Sequence, residues 1–151
     1  GTYDGGREKS PSAICRKIAL AKKNKDESIE IWGDGNQTRS YLYIDDCITG
    51  TLKLLHSDYK FPLNIGSEEQ VSINGLVAKI ENIANINPLR KIYKLDMPLG
   101  VRGRNSNNDR LMKVLSWNYE IDLQKGLENT YHWIENEINN PTTDSIKFRL
   151  A

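Results

Sequence analysis

Histidine and cysteine are scarce in this chain, two of each in 151 residues. His56 and His132 have no ligand partner at metal-binding spacing, and Cys15 and Cys47 stand alone inside helical patterns. A metal centre and a disulfide framework are therefore not expected, and the free thiols suit a reducing compartment. Long apolar runs are missing as well: nothing approaches the ~20 residues of a membrane span, and no charged-then-apolar leader opens the chain. A cytoplasmic location is expected, with no membrane partner. Net charge is only +1, with Lys and Arg dispersed, so no nucleic-acid surface is indicated. No glycine-rich turn of the dinucleotide-binding kind follows a strand, and no Tyr-x-x-x-Lys pair is present.

What is there reads as short elements. Residues 2–8 carry two adjacent glycines and no apolar period, which predicts a loop continuing from something before it. Ser10 can cap and Pro11 can start a helix whose apolar face runs through Ile14, Cys15, Ile18 and Ala21 to Lys22. Ser28 to Trp32 alternates, Gly33 to Asn36 is a turn, and Thr38 to Ile44 alternates again, predicting two strands around that turn. Asp45 or Asp46 can cap a helix bearing Ile48, Leu52 and Leu55 at helical spacing.

Further along, residues 64–66 and 71–73 read as extended. A third helix carries Leu76, Ile80 and Ile83 and ends near Pro88, and residues 92–95 form a strand. A loop then spans 99–105, a short helix 109–115, and a last helix starts at Asp122. Short strands interleaved with about four helices give an α/β or α+β fold with too few strands for a complete doubly wound sheet. Residues 1–139 form one lobe and residues 140–151 a polar tail. Trp32, Trp117 and Trp133 read as packing aromatics.

Three landmarks in order, Trp32 to Asp46 with its Gly-Asp-Gly-Asn-Gln-Thr-Arg core, Asn64-Ile-Gly66 before Val71-Ser72, and Leu115-Ser-Trp117, resemble the extended short-chain dehydrogenases that act on nucleotide sugars. Gly5 to Lys17 and Gly100 to Ser106 resemble the branch of that family whose members epimerise a GDP-hexose at C3 and C5. The resemblance implies the carboxy-terminal, substrate-binding lobe of such an enzyme, with the NAD-binding Rossmann half and the catalytic cysteine outside this chain. The chain alone is then expected to be inactive. For the whole parent the resemblance implies a homodimer.

By the same resemblance Lys9 is an acid/base group. Oxidation at C4 acidifies the protons on C3 and C5, and inversion needs one group to remove a proton and another to return one to the opposite face. A lysine can serve if burial and nearby cations lower its amine, and Arg7 is the candidate neighbour. Glu8 and Ser10 are implied sugar contacts, beside Gly5 and Gly6 that permit close approach. Lys17, two turns along on roughly the same side, is implied at the nucleotide or its phosphates. Gln37 and Arg39 are implied substrate contacts, and Arg104, ahead of Arg102, is implied at the diphosphate through its planar fork. Without the resemblance each is an ordinary polar surface residue. Two alternatives stay open: another NAD-dependent nucleotide-sugar epimerase, dehydratase or decarboxylase, or a non-catalytic remnant that binds a nucleotide sugar.

Overall fold

A computed structural model describes residues 3–4, 8–98 and 100–141. Gly5, Gly6, Arg7, Leu99 and most of the tail, 142–151, lie outside the described residues.

Helix α1, Ser10–Asn24, has its proline in the first turn as expected, but its N-cap is Lys9 and no side chain closes the cap. Ser10 is already helical, and its hydroxyl goes to Tyr41 instead. The chain leaves α1 through Lys25 in the left-handed region, φ 63°, with its N–H on the Ala21 carbonyl. The buried face of α1 packs against α3, Ile73–Ile83, and α5, Leu123–Asn139. Ile18, Leu76, Ile80, Tyr131 and Ile134 meet there with no exposed surface. Each such aliphatic contributes roughly 1.5–3 kcal/mol by leaving water. Both partner helices are capped from the sequence: Ser72 accepts from Gly75 N–H and Asp122 from Lys125 N–H. Burial pushes the Cys15 thiol in this core up to about 12.

The two strands expected around residues 33–36 both form, but they do not pair with each other. Strand β1, Ser28–Trp32, pairs in parallel with β4, Arg90–Lys94. Strand β2 is only Thr38–Ser40; it runs antiparallel to β3, Gln70–Ser72, and parallel to β5, Gly103–Arg104, so the loop expected at 99–105 contains a strand. Gly35 has φ 73°, and a Cβ there would collide with the Asn74 side chain, so the turn is used to bring two sheets onto α3. The result is mixed α/β with five helices among the described residues, each where the sequence places one: α1, α2 (Ile44–Leu55), α3, α4 (Asp109–Leu115) and α5. Residues 64–66 join neither sheet. No described helix is long and apolar enough to cross a membrane.

Helix α2 differs from the others. Tyr43, not an aspartate, is its N-cap. The Asp46 carboxylate instead accepts N–H groups from Glu120 at 3.1 Å and Ile121 at 2.9 Å. Gly50 seats the helix on Trp117 and Ile65, where a Cβ would come within 2.8 Å of both side chains. The outward stripe is apolar and open: Ile44, Ile48, Leu52 and Leu55 are 58%, 51%, 48% and 72% exposed. Of the three tryptophans Trp117 is buried, while Trp32 and Trp133 are nearly half exposed, so only the first is a core aromatic. Trp133 instead meets Tyr3 edge-on at 5.3 Å.

Candidate functional site

Five of the expected substrate residues are brought together where the start of α1 faces β1 and β2. Glu8, Ser10, Lys17, Gln37 and Arg39 line one cavity of about 500 Å³, closed further by Ile14, Arg16, Ile31 and Ile73. Lys17 reaches across to donate to the Glu30 carbonyl at 2.9 Å. Burial holds its amine below the ordinary lysine value, opposed by the negative charge of Glu30. Gln37 donates its amide to the Trp32 carbonyl at 3.0 Å. Its Oε1 is buried, and no donor reaches it among the described residues.

Arginine 39 donates to the Thr38 carbonyl at 2.6 Å. Beside it, Gly100 adopts φ 67°, and a Cβ there would lie 3.5 Å from Arg39 Nη2. Arg104 is the register partner of Arg39 on β5, so the two guanidinium side chains leave the sheet on the same face. Arg104 is exposed and does not line the cavity. Arg102, exposed too, precedes β5.

Lysine 9 is placed apart from these groups. It is exposed, so the burial expected for a proton-transfer lysine is not there, and it lines a second cavity of about 380 Å³ with Tyr41, Tyr43, Asp122 and Thr130. Between the two cavities Ser10 Oγ and Tyr41 OH share a hydrogen bond of 2.7 Å. Burial raises the Tyr41 phenol above its usual value, against the Ser10 hydrogen bond and Arg39. Of the common side expected for Lys9, Ser10 and Lys17, Ser10 and Lys17 share one cavity, whereas Lys9, at the cap before the helical period begins, lines the other. Its candidate neighbour Arg7 lies outside the described residues.

Sequence reasoning missed Arg16 and Tyr41. Arg16 bonds Glu8 at 3.1 Å and stands 3.5 Å from Asp4, which ties the segment before α1 to the helix two turns on. No helical spacing shows this pair, because Glu8 precedes the helix and residues eight apart within one are separated by roughly 12 Å along its axis. Tyr41 falls in an alternating stretch, and alternation gives a face without naming a partner. Neither cavity contains a metal site: no group of three or more His, Cys, Asp or Glu among the described residues could hold one.

Comparison with known proteins matches residues 1–66 to the NAD dependent epimerase/dehydratase family. The chain is 41% identical over 146 residues to GDP-mannose 3,5-epimerase 1 of Oryza sativa subsp. indica, covering 97% of this chain and 37% of that protein. It is 42% identical over 138 residues to GDP-mannose 3,5-epimerase of Arabidopsis thaliana, covering 91% and 35%. Among solved structures it resembles UDP-glucuronic acid 4-epimerase from Bacillus cereus in complex with UDP-glucuronic acid and NAD, with TM-score 0.71 and 29% identity over 88% of this chain and 42% of that one. The chain thus spans little more than a third of the length of the curated relatives it matches. By its matched segment, residues 1–66, and by its relatives, the chain resembles the NAD dependent epimerase/dehydratase family.

Proposed function

We propose that this chain is the carboxy-terminal, nucleotide-sugar-binding portion of an NAD-dependent epimerase, and that its nucleotide sugar is GDP-mannose, inverted at C3 and C5. The observation that carries the reading is the larger cavity, where Lys17 and Arg39 stand beside Glu8, Ser10 and the open acceptor Gln37 Oε1. Cations in a partly dry cavity attract a diphosphate strongly, and a planar guanidinium can pair two phosphate oxygens at once. The carboxylate, hydroxyl and amide oxygens suit sugar hydroxyls, which need acceptors. Arg104, on the same sheet face as Arg39, extends the cationic edge. Support for the GDP-sugar is the 41% identity to the rice enzyme.

Lys9 takes the proton-transfer role. A ketone at C4 makes the C3 and C5 protons acidic, and an amine at the second cavity can carry one of them to or from one face of the ring. NAD, implied by the family's description, has no fitting cradle among the described residues. No strand passes through a glycine-rich turn into a helix, the arrangement that holds a pyrophosphate on backbone N–H groups. Hydride transfer is therefore not assigned to these residues, and its place is in the part of the longer relatives that this chain does not span.

Calorimetric titration of the chain with GDP-mannose, and separately with UDP-glucose, tests the reading. GDP-mannose should bind in preference, and Lys17→Ala should abolish that binding. At alkaline pH below the ordinary lysine value of 10.5, binding should take up a proton, because a diphosphate raises an amine that burial had lowered. Preference for UDP-glucose would assign another base, and binding of neither would sink the cavity as a self-sufficient site.

A further inference from the structure

Two hydroxyls meet in the wall between the cavities. Ser10 Oγ belongs to the larger cavity and Tyr41 to the smaller; their oxygens lie 2.7 Å apart, and neither hydroxyl makes another hydrogen bond among the described residues. One of them gives a proton and the other takes it. The phenol is the more acidic of the two and so the stronger donor. Burial, which raises it above its ordinary value, keeps its proton in place. Ser10 as acceptor is left with its own proton to place. A helical serine ordinarily returns that proton to a carbonyl of the preceding turn, as Ser12 does to the Lys9 carbonyl at 3.2 Å. Ser10 is the first residue of α1 and has no helical carbonyl behind it. Its proton is free to face the larger cavity.

Neutral donors are scarce there. Besides Ser10, those lining the cavity are the side chains of Gln37 and Trp32, and each already donates within the protein, the amide to the Trp32 carbonyl at 3.0 Å and the indole to Glu30 at 3.3 Å. Glu8 and Gln37 Oε1 supply acceptors. A sugar hydroxyl that donates to one of them keeps lone pairs that need a donor in return. We propose that Tyr41 is a positioning residue: by donating to Ser10 it turns the Ser10 hydroxyl into a donor for an oxygen of the hexose. The hexose rather than the diphosphate follows from position, since Ser10 stands where the cavity of Lys17 and Arg39 meets the chamber of Lys9. The inference rests on the proposed function and goes further, making Tyr41 a determinant of sugar affinity through Ser10.

Calorimetric titration of the chain and its variants with GDP-mannose, and separately with GDP, is the test. Tyr41→Phe, which removes only the hydroxyl, and Ser10→Ala should each weaken GDP-mannose binding roughly 3- to 10-fold, the worth of one neutral hydrogen bond, and leave GDP binding within about twofold. The double variant should bind within about twofold of Ser10→Ala alone, because the two hydroxyls act as one device. Ser10→Thr, which keeps a hydroxyl, should bind as the parent chain does. Without ligand, the Tyr41 hydroxyl proton should exchange slowly enough to be seen by NMR and should be lost in Ser10→Ala. Losses that add, equal losses on GDP, or a Tyr41→Phe chain that binds GDP-mannose undiminished would each overturn the inference while the proposed function stands. A chain that binds no GDP-mannose sinks the proposed function and the hexose contact with it. The hydroxyl resonance then decides alone whether Tyr41 orients Ser10, and an unchanged resonance in Ser10→Ala overturns that as well.

Discussion

The two sides of this molecule read alike in sequence and differ in the folded chain. On one side α1, α3 and α5 close over Ile18, Ile80 and Tyr131 until nothing is exposed. On the other, α2 repeats the same helical spacing and leaves every apolar residue of its stripe open. Periodicity therefore fixes which face of a helix is apolar, while the presence of something to cover that face is decided elsewhere in the chain.

The sharpest way to break this contrast is to remove one aliphatic from each side. Ile80→Ala should cost about 3 kcal/mol, the transfer term plus a cavity, whereas Leu52→Ala should cost under about 1 kcal/mol. Urea unfolding of the chain measures both. Equal costs would mean that α2 is covered in solution.

A smaller effect probes what anchors the open helix. Asp46→Ala leaves the N–H groups of Glu120 and Ile121 without an acceptor and should cost about 2 kcal/mol, with Asp46→Asn retaining part of it. A loss within 0.5 kcal/mol, roughly the scale of an unremarkable surface change, would show that Gly50 on Trp117 holds α2 by itself.

The smallest effect lies on the closed side. Burial alone would raise the Glu135 carboxyl, but bonds from Lys22 and Tyr131, with His132 nearby, hold it below the ordinary 4.5. A depressed carboxyl adds stability above its unfolded value that is lost as pH falls through the folded one, so the window lies below about pH 4.5. Lys22→Met should flatten acid unfolding there by under about 1 kcal/mol, since the pair is partly solvated. Acid denaturation followed by circular dichroism would register it, and an unchanged acid limb would remove Lys22 as the cause.

Most helices were legible because their signals are local: Pro11 in a first turn, Ser72 and Asp122 as caps, apolar residues at 3.6 spacing. Strand partners were not, because β1 and β2 each find their neighbours far along the chain, at β4 and at β3 and β5. Two-residue β5 carries no readable alternation at all. Asp46 looked like a cap because acids favour helix starts, yet its carboxylate serves a loop more than seventy residues away. The candidate site was legible through resemblance for Glu8, Ser10, Lys17, Gln37 and Arg39, which do converge. Lys9 parts from them because the chain changes from loop to helix between residues 9 and 10, and adjacency across such a change says little about direction.

That change of direction leaves one hydroxyl pair, Ser10 and Tyr41, standing as a partition between two chambers. A ligand anchored by its phosphates among the cations of the first chamber can present its far end to Lys9 only by passing over that partition. On the proposed function, the reach from anchor to amine would be a ruler built into the fold, favouring ligands long enough to bridge the wall over shorter anions.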